Sequence, residues 1–100
     1  MLKNRAVSKL LVVEDEKNVG TTLVERLKKE GFEVNWATSV PEAKLEIQNR
    51  KFDLVLLDVG LPGGSGFSVA ESLKKVSPST AIIFLTAYGT PEERDRKSVV

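Results

Sequence analysis

The sequence predicts an α/β fold built on a doubly wound parallel sheet, and two observations lead to this prediction. Short apolar runs rich in branched residues alternate along the chain with segments of helical periodicity. Three of the four runs are continuously apolar, which is typical of strands covered on both faces of a parallel sheet. With right-handed crossovers, the resulting order β-α-β-α-β-α-β-α places helices on both faces of the sheet.

The four predicted strands are "KLLVVE" (9–14), "FEVNWA" (32–37), "DLVLLD" (53–58) and "AIIFLT" (81–86). The second run alternates between apolar and polar residues, so we expect it at an edge of the sheet. Trp36 and Phe84 are interpreted as core residues.

Helical spacing and end signals predict the intervening helices. Val19, Leu23 and Leu27 recur every four residues in the first helix, which Gly31 is expected to stop. The capping box "SVPE" (39–42) opens the second helix, and "TPEE" (90–93) opens a fourth. The third helix, 66–76, repeats its apolar residues every three positions, at Phe67, Ala70, Leu73 and Val76.

The composition excludes several kinds of chemistry. The 100 residues contain no histidine and no cysteine, so histidine acid–base catalysis and thiolate metal sites are excluded within this chain. Lys and Arg number 15 against 14 Asp and Glu, which gives no electrostatic argument for a nucleic-acid or membrane partner. The first residues lack an apolar run long enough for a signal peptide or a membrane span. We therefore expect a cytoplasmic protein.

Acidic residues follow two of the predicted strands. The first strand ends in Glu14, Asp15 and Glu16, and the third ends in Asp58. If these strands are neighbours, as in the flavodoxin-like order 2-1-3-4, Asp15 and Asp58 face each other at the switch point of the sheet. Two carboxylates about 4 Å apart repel by roughly 4 kcal/mol at an effective dielectric constant near 20. Mg²⁺ is the cation that suits such a pair best.

A cation at this place would allow Asp58 to attack a phosphoryl group and form an aspartyl phosphate. The loop after Asp58 contains Gly60, Gly63, Gly64 and Gly66, where a turning backbone could aim a carbonyl at the metal. Taken singly, each acidic residue is more typical of a helix cap or a turn, and Thr86 of a strand-end hydroxyl bonded to backbone. Because three acidic residues converge at the strand ends, a metal and phosphorylation site is favoured over separate caps or turns.

Three segments together resemble the receiver domain of bacterial two-component response regulators, over about Lys9 to Glu93. They are "LLVVEDE", "DLVLLDVGLPGGSG" and "IIFLTAYGT". The resemblance implies that Asp58 accepts a phosphoryl group from the histidine of a sensor kinase. It also implies that Mg²⁺ is held by Glu14, Asp15, Asp58 and the carbonyl of Gly60.

The same resemblance assigns roles near the end of the fourth strand and to the partners. Thr86 would bond a phosphoryl oxygen and move on activation, while the small Ala87 would leave room beside it. An output domain or partner would read the face formed by the fourth helix. This domain would not itself bind nucleic acid or a membrane.

The sequence also departs from the receiver pattern at its C-terminal end. A receiver has a fifth strand that ends in a phosphate-binding lysine, followed by a fifth helix, whereas the only lysine after the fourth strand here is Lys97. The last six residues, "DRKSVV", resemble the translation of a common sequencing-adapter end. We therefore expect a truncated receiver domain over 1–94, a non-native tail over 95–100, an exposed fourth strand and a marginal fold.

The leading interpretation is a phosphoacceptor signalling switch rather than an enzyme with an external substrate. A haloacid-dehalogenase-type phosphatase also uses a strand-end aspartate and Mg²⁺, but it needs a second aspartate where this chain has Gly60. A flavodoxin-like nucleotide binder would offer hydroxyls in its first loop, which here reads "EDE". A receiver-like interaction module that is not phosphorylated remains the main alternative.

Overall fold

The computed structural model describes residues 8–85, which form a four-stranded parallel sheet and three helices. The elements are β1 (Lys9–Val13), α1 (Lys17–Lys29), β2 (Glu33–Ala37), α2 (Val40–Asn49), β3 (Leu54–Asp58), α3 (Gly66–Val76) and β4 (Ala81–Leu85). Between β3 and α3, the two-residue strands Gly60–Leu61 and Gly64–Ser65 pair in an antiparallel hairpin, called here the loop hairpin. The sequence interpretation had treated this segment as a turn.

The strands of the main sheet lie in the order β2-β1-β3-β4, and every neighbouring pair is parallel. This confirms the predicted flavodoxin-like order 2-1-3-4 and the edge position of β2. The predicted fourth helix, Thr86, and the domain boundary between residues 94 and 95 lie outside the described residues.

The main apolar core lies between the sheet and the helices α2 and α3. Alternate residues of β1 and β3 point to this face, because successive side chains of a strand point to opposite sides. The buried cluster comprises Leu11, Val13, Ala37, Val40, Ala43, Ile47, Phe52, Val55, Leu57, Leu61, Val69 and Leu73. Helix α1 packs against β1 and β2. The two inner strands are thus buried on both faces, as their continuous apolar runs predict.

Strand β4 is much less buried than the inner strands. Ile83 is 50% exposed and Phe84 is 38% exposed, so the assignment of Phe84 to the core is wrong. The ring of Phe84 instead lies 5.1 Å from the ring of Phe67, which is 58% exposed. Within residues 8–85, β4 is an edge of the sheet. The predicted exposure of the fourth strand is therefore confirmed.

The buried face of α3 agrees only in part with the three-residue spacing, since Leu73 is buried and Ala70 packs against the core. Gly66, Val69 and Leu73 are buried, whereas Phe67 and Val76 are exposed. A helix turns about 100° per residue, so strict steps of three drift by about 60° each and cannot stay on one face. In α1, Val19 of the predicted apolar stripe is exposed, and Leu23 and Leu27 are only half-buried. None of the three described helices is long and apolar enough to cross a membrane.

Gly31 ends α1 as the sequence predicts. Its φ of 101° lies in the left-handed region that favours glycine. The N–H of Gly31 donates to the carbonyl of Lys28 at 3.0 Å, and that of Phe32 donates to the carbonyl of Leu27 at 3.2 Å. These two bonds form a Schellman motif, which satisfies the last carbonyls of the helix.

The predicted capping box at the start of α2 forms only in part. The Ser39 hydroxyl accepts from the N–H of Glu42 at 3.3 Å, as expected. The Glu42 carboxylate, however, accepts from the N–H of Thr38 at 2.6 Å and from its hydroxyl at 3.0 Å. It therefore stabilises the residue before the cap rather than the cap itself.

A buried pair of hydroxyls joins the end of α3 to the start of β3. The Thr80 hydroxyl donates to the carbonyl of Phe52 at 2.7 Å and lies 2.8 Å from the Ser77 hydroxyl. Because the one hydrogen of Thr80 is used on Phe52, Ser77 must be the donor within the pair.

Replacing Thr80 with valine is expected to lower the free energy of unfolding by about 1 to 3 kcal/mol, because the change leaves the Phe52 carbonyl and the Ser77 hydroxyl without their partner. Urea unfolding followed by fluorescence measures this loss. Ser79→Ala, at an exposed neighbouring position, is the matched control and should stay within about 0.5 kcal/mol of wild type. Equal stability of the two variants would contradict the assigned role of the hydroxyl pair.

Candidate functional site

Three acidic side chains meet at the carboxyl end of the sheet, where β1 and β3 end. The register places Val13 opposite Leu57, so Glu14 and Asp58 are the next neighbouring positions. Carboxylate oxygens of Glu14, Asp15 and Asp58 lie within 4.8 Å of one another. The structure thus brings together the three acidic residues that the sequence analysis singled out.

Glu14 is the most buried of the three, with 6% of its surface exposed. Its Oε2 accepts a hydrogen bond of 2.9 Å from the N–H of Glu16, just before α1 begins. Burial raises the pKa of Glu14 from 4.5 to about 7, and the charges of Asp58 and Asp15 add to the rise, while the bond from Glu16 opposes it. The folded protein therefore disfavours the ionised form of Glu14 relative to the unfolded chain, and a positive charge in the cluster would oppose this effect.

The donor set fits a hard divalent cation. Mg²⁺ binds carboxylate and carbonyl oxygens and keeps several waters in its shell. Asp15 is exposed and Asp58 is half-buried, so the cluster is open to solvent on one side. A cation would relieve both the like-charge repulsion and the cost of ionising the buried Glu14.

Asp58 is the last residue of β3, and the loop hairpin begins two residues later at Gly60. The N–H of Gly60 lies 3.4 Å from Asp58 Oδ1, a long and weak hydrogen bond. The carbonyl of Pro62 accepts from the N–H of Val40 at 3.0 Å, which ties the loop hairpin to the first turn of α2. The sheet thus fixes the main chain at Asp58, and the loop beyond it is anchored to a helix.

The four glycines of the loop differ in whether the structure requires a glycine at that position. Gly63 and Gly64 have φ values of 85° and 141°, so a turning backbone is observed at these two positions. Gly60 has a negative φ, and no atom lies within 4 Å of the place that a Cβ would take. At Gly60, therefore, neither a left-handed backbone nor a close contact requires glycine, and the binding of a metal by its carbonyl stays a prediction.

Gly66 is required because of a close approach rather than an unusual turn. Its N–H donates to the carbonyl of Val59 at 2.8 Å. A Cβ at this position would overlap the carbonyl oxygen of Asp58 and would lie 3.0 Å from Cα of Val59. Only glycine lets the first turn of α3 pack directly against the end of β3. The requirement for glycine at position 66 thus comes from this contact and not from a positive φ.

Two residues of the site were not recognised from the sequence. Trp36, interpreted as core, is only half-buried, and its Nε1 donates to the carbonyl of Glu14 at 2.9 Å. Ser65 caps α3, since its hydroxyl accepts from the N–H of Phe67 at 3.0 Å. A partly buried indole N–H needs a hydrogen-bond acceptor, and this requirement could have pointed to a polar role for Trp36. Thr86 and Ala87 lie outside the described residues, so their roles stay predictions.

The fold and the position of the acidic cluster define a class. The connection after β1 leads to β2 on one side and the next leads to β3 on the other, so the cluster lies at the topological switch point of a flavodoxin-like sheet. A family model described as "Response regulator receiver domain" matches residues 10–98. The chain belongs to the response regulator receiver domain family, as the resemblance implied.

Curated relatives are regulators that are longer than this chain. The phosphate regulon transcriptional regulatory protein PhoB of Rhizobium meliloti is 42% identical over 91 residues, which cover 88% of this chain and 40% of the relative. The transcriptional regulatory protein CusR of Escherichia coli is 36% identical over 86 residues, which cover 86% of this chain and 38% of the relative. The chain therefore spans less than half the length of these relatives.

Solved structures agree with the fold. The non-phosphorylated HemR receiver domain from Leptospira biflexa has a TM-score of 0.77 and 38% identity, covering 93% of this chain and 77% of that one. The response regulator TrrA from Thermotoga maritima, solved in complex with Mg²⁺ and BeF, has a TM-score of 0.77 and 38% identity, covering 89% of this chain and 76% of that one. The predicted fold class is therefore confirmed.

Proposed function

We propose that this chain is a cytoplasmic phosphoacceptor switch in which Asp58 accepts a phosphoryl group from the histidine of a sensor kinase. Glu14, Asp15, Asp58 and the carbonyl of Gly60 would hold Mg²⁺. The observation that carries the proposal is the meeting of three carboxylates within 4.8 Å at the ends of β1 and β3. The complex of the similar TrrA with Mg²⁺ and BeF supports the choice of cation.

The chemistry is a transfer between two nucleophiles. An oxygen of Asp58 forms a bond to phosphorus while the bond from phosphorus to the donor nitrogen breaks, and the histidine leaves with that electron pair. A cation held by the acidic cluster would supply positive charge against the phosphoryl oxygens. Strand β3 holds Asp58 in place, and the anchored loop hairpin leaves its carboxylate half-exposed to a donor. Thr86 would donate a hydrogen bond to a phosphoryl oxygen.

The product would carry a new dianionic group at the end of β3. A phosphoryl group adds about 1.5 to 2 negative charges at neutral pH, enough to favour a different arrangement of nearby loops. The curated relatives are named as transcriptional regulators and are longer than this chain. We propose that an output domain or partner reads the change through the face of the fourth helix, and that this domain does not contact nucleic acid.

A receiver-like interaction module that is not phosphorylated is the second candidate. A phosphatase of the haloacid dehalogenase type is disfavoured by Gly60, which stands where that chemistry needs a second aspartate.

Incubation with acetyl phosphate and Mg²⁺, followed by intact-mass measurement, tests the proposal. We expect one phosphoryl adduct in the wild-type chain, its loss in Asp58→Asn, and its absence when EDTA replaces Mg²⁺. Asp53→Asn is the matched control, because Asp53 precedes the same strand and its carboxylate accepts a hydrogen bond from the N–H of Lys9 at 2.8 Å. An amide oxygen can accept that bond equally well.

The results distinguish the phosphoacceptor switch from the interaction module and from a phosphatase, and they test whether Asp58 is the acceptor. An adduct that persists in Asp58→Asn would show that the acceptor is misassigned. A folded wild-type chain without any adduct would favour the interaction module. Repeated release of phosphate without a mass adduct would favour a phosphatase.

A further inference from the structure

The side chain of Trp36 connects three parts of the molecule. Trp36 lies opposite Val12 in the pairing of β2 with β1. Its indole N–H donates to the backbone carbonyl of Glu14 at 2.9 Å. The same ring lies against Gly20 of α1, because a Cβ added at Gly20 would lie 2.7 Å from Nε1 and closer still to two ring carbons. The indole is thus held between a strand, a helix and the residue that enters the acidic cluster.

These contacts complete the attachment of the Glu14 backbone. The paired residues of β1 and β2 end with Val13 and Ala37. Beyond that pair, the N–H of Glu14 still donates to the carbonyl of Ala37 at 3.0 Å, and the carbonyl of Glu14 accepts from Trp36. Both backbone polar groups of Glu14 are therefore tied to β2, one by its main chain and the other by its indole.

The packing of Gly20 makes the position of the indole specific. Gly20 is the buried residue of α1. A glycine inside a helix lowers the stability of the helix by about 1 kcal/mol relative to alanine. At position 20 a glycine is nevertheless needed, because a Cβ there would overlap the indole ring. Moving the ring away from Gly20 would also move Nε1 away from Glu14.

We propose that Trp36, seated on Gly20, is a positioning residue that holds the Glu14 backbone so that its carboxylate meets Asp15 and Asp58 around a divalent cation. This inference rests on the proposed function, since it assumes that the cluster binds Mg²⁺. Hydrogen bonds behind a metal ligand typically change metal affinity by 10- to 100-fold. Here the bond is to the backbone of the ligand residue, so we expect the low end of that range, about 10-fold.

Two variants of the full chain remove the contact from opposite sides. Trp36→Phe keeps an aromatic ring over Gly20 but removes the N–H. Gly20→Ala keeps the indole but displaces it from Glu14, since a methyl group there would overlap the ring. Calorimetric titration with Mg²⁺ should show about 10-fold weaker binding in both variants, with circular dichroism confirming that each is folded.

Thr80→Val is the control for a general loss of stability. It removes a buried hydrogen bond beside the start of β3, at the opposite end of the sheet from the acidic cluster. Its Mg²⁺ affinity should equal that of wild type even if its stability falls as much as that of Trp36→Phe. A parallel loss of affinity in Thr80→Val would reduce the role of Trp36 to general packing and overturn the proposal.

Fluorescence gives a second readout, because Trp36 is the single tryptophan of the chain. Mg²⁺ should change its emission in the wild-type chain and leave it unchanged in Asp15→Asn. If wild type binds Mg²⁺ but Trp36→Phe and Gly20→Ala bind it with unchanged affinity, the positioning role is wrong. If wild type binds no Mg²⁺ at all, the cation assignment in the proposed function fails instead.

Discussion

Replacing Gly66 with alanine is expected to lower the free energy of unfolding by about 3 kcal/mol, the upper end of the range for overpacking a tight site. The added methyl group would overlap the carbonyl oxygen of Asp58. That atom belongs to the backbone of a central strand, so it cannot rotate away as a flexible side chain could. Alanine gains about 1 kcal/mol in helix propensity, which is smaller than the cost of this overlap.

Gly60→Ala is the matched comparison within the same loop. A Cβ at Gly60 meets nothing within 4 Å and its φ is negative, so this variant should stay within about 0.5 kcal/mol of wild type. Urea unfolding monitored by Trp36 fluorescence measures both changes. Similar stabilities for Gly66→Ala and Gly60→Ala would contradict the close approach between α3 and the end of β3.

The metal-free chain is expected to lose stability as the pH rises from about 5 to 8. The pKa of Glu14 is raised from 4.5 to about 7 in the folded protein, so between these values the folded state binds more protons than the unfolded state. Stability is therefore greatest below the lower value and falls as the pH rises through the upper one. The expected loss is on the order of 2 to 3 kcal/mol.

This pH window can be interpreted cleanly, because the chain has no histidine to titrate within it. Unfolding by urea in EDTA at pH 5 and pH 8 measures the loss, and Glu14→Gln should remove most of it. Added Mg²⁺ should restore stability at pH 8 and have little effect at pH 5, where Glu14 is protonated. A wild-type chain whose stability rises between pH 5 and pH 8 without metal would contradict this account.

The sheet was predictable because its signals are local. Continuous apolar runs indicate strands buried on both faces, and alternation in "FEVNWA" indicates an edge strand. The end of α1 at Gly31 was predictable for the same reason, since the left-handed φ that ends the helix is a local property of the glycine itself. The burial of α3 was not, because three-residue spacing does not show which side of the helix the neighbouring elements will cover.

The core assignments of Trp36 and Phe84 failed for different reasons. Phe84 is apolar enough for a core, but its exposure depends on what packs beside β4, which residue type does not reveal. Trp36 can bury its ring and still use its N–H, and only the neighbouring strand determines which acceptor it meets. The loop glycines were also treated as one group, although Gly63 and Gly64 turn the chain while Gly66 permits a contact.

Periodicity and strand ends are local signals along the chain, so the order of the elements, the parallel sheet and the three carboxylates at its carboxyl end can be predicted without coordinates. How Glu14 is held and why Gly66 must be glycine become clear only in the folded molecule. Both depend on atoms that are distant in sequence, an indole of β2 on the carbonyl of Glu14 and α3 against the carbonyl of Asp58. Such contacts are determined by packing in three dimensions, which spacing along the chain does not record.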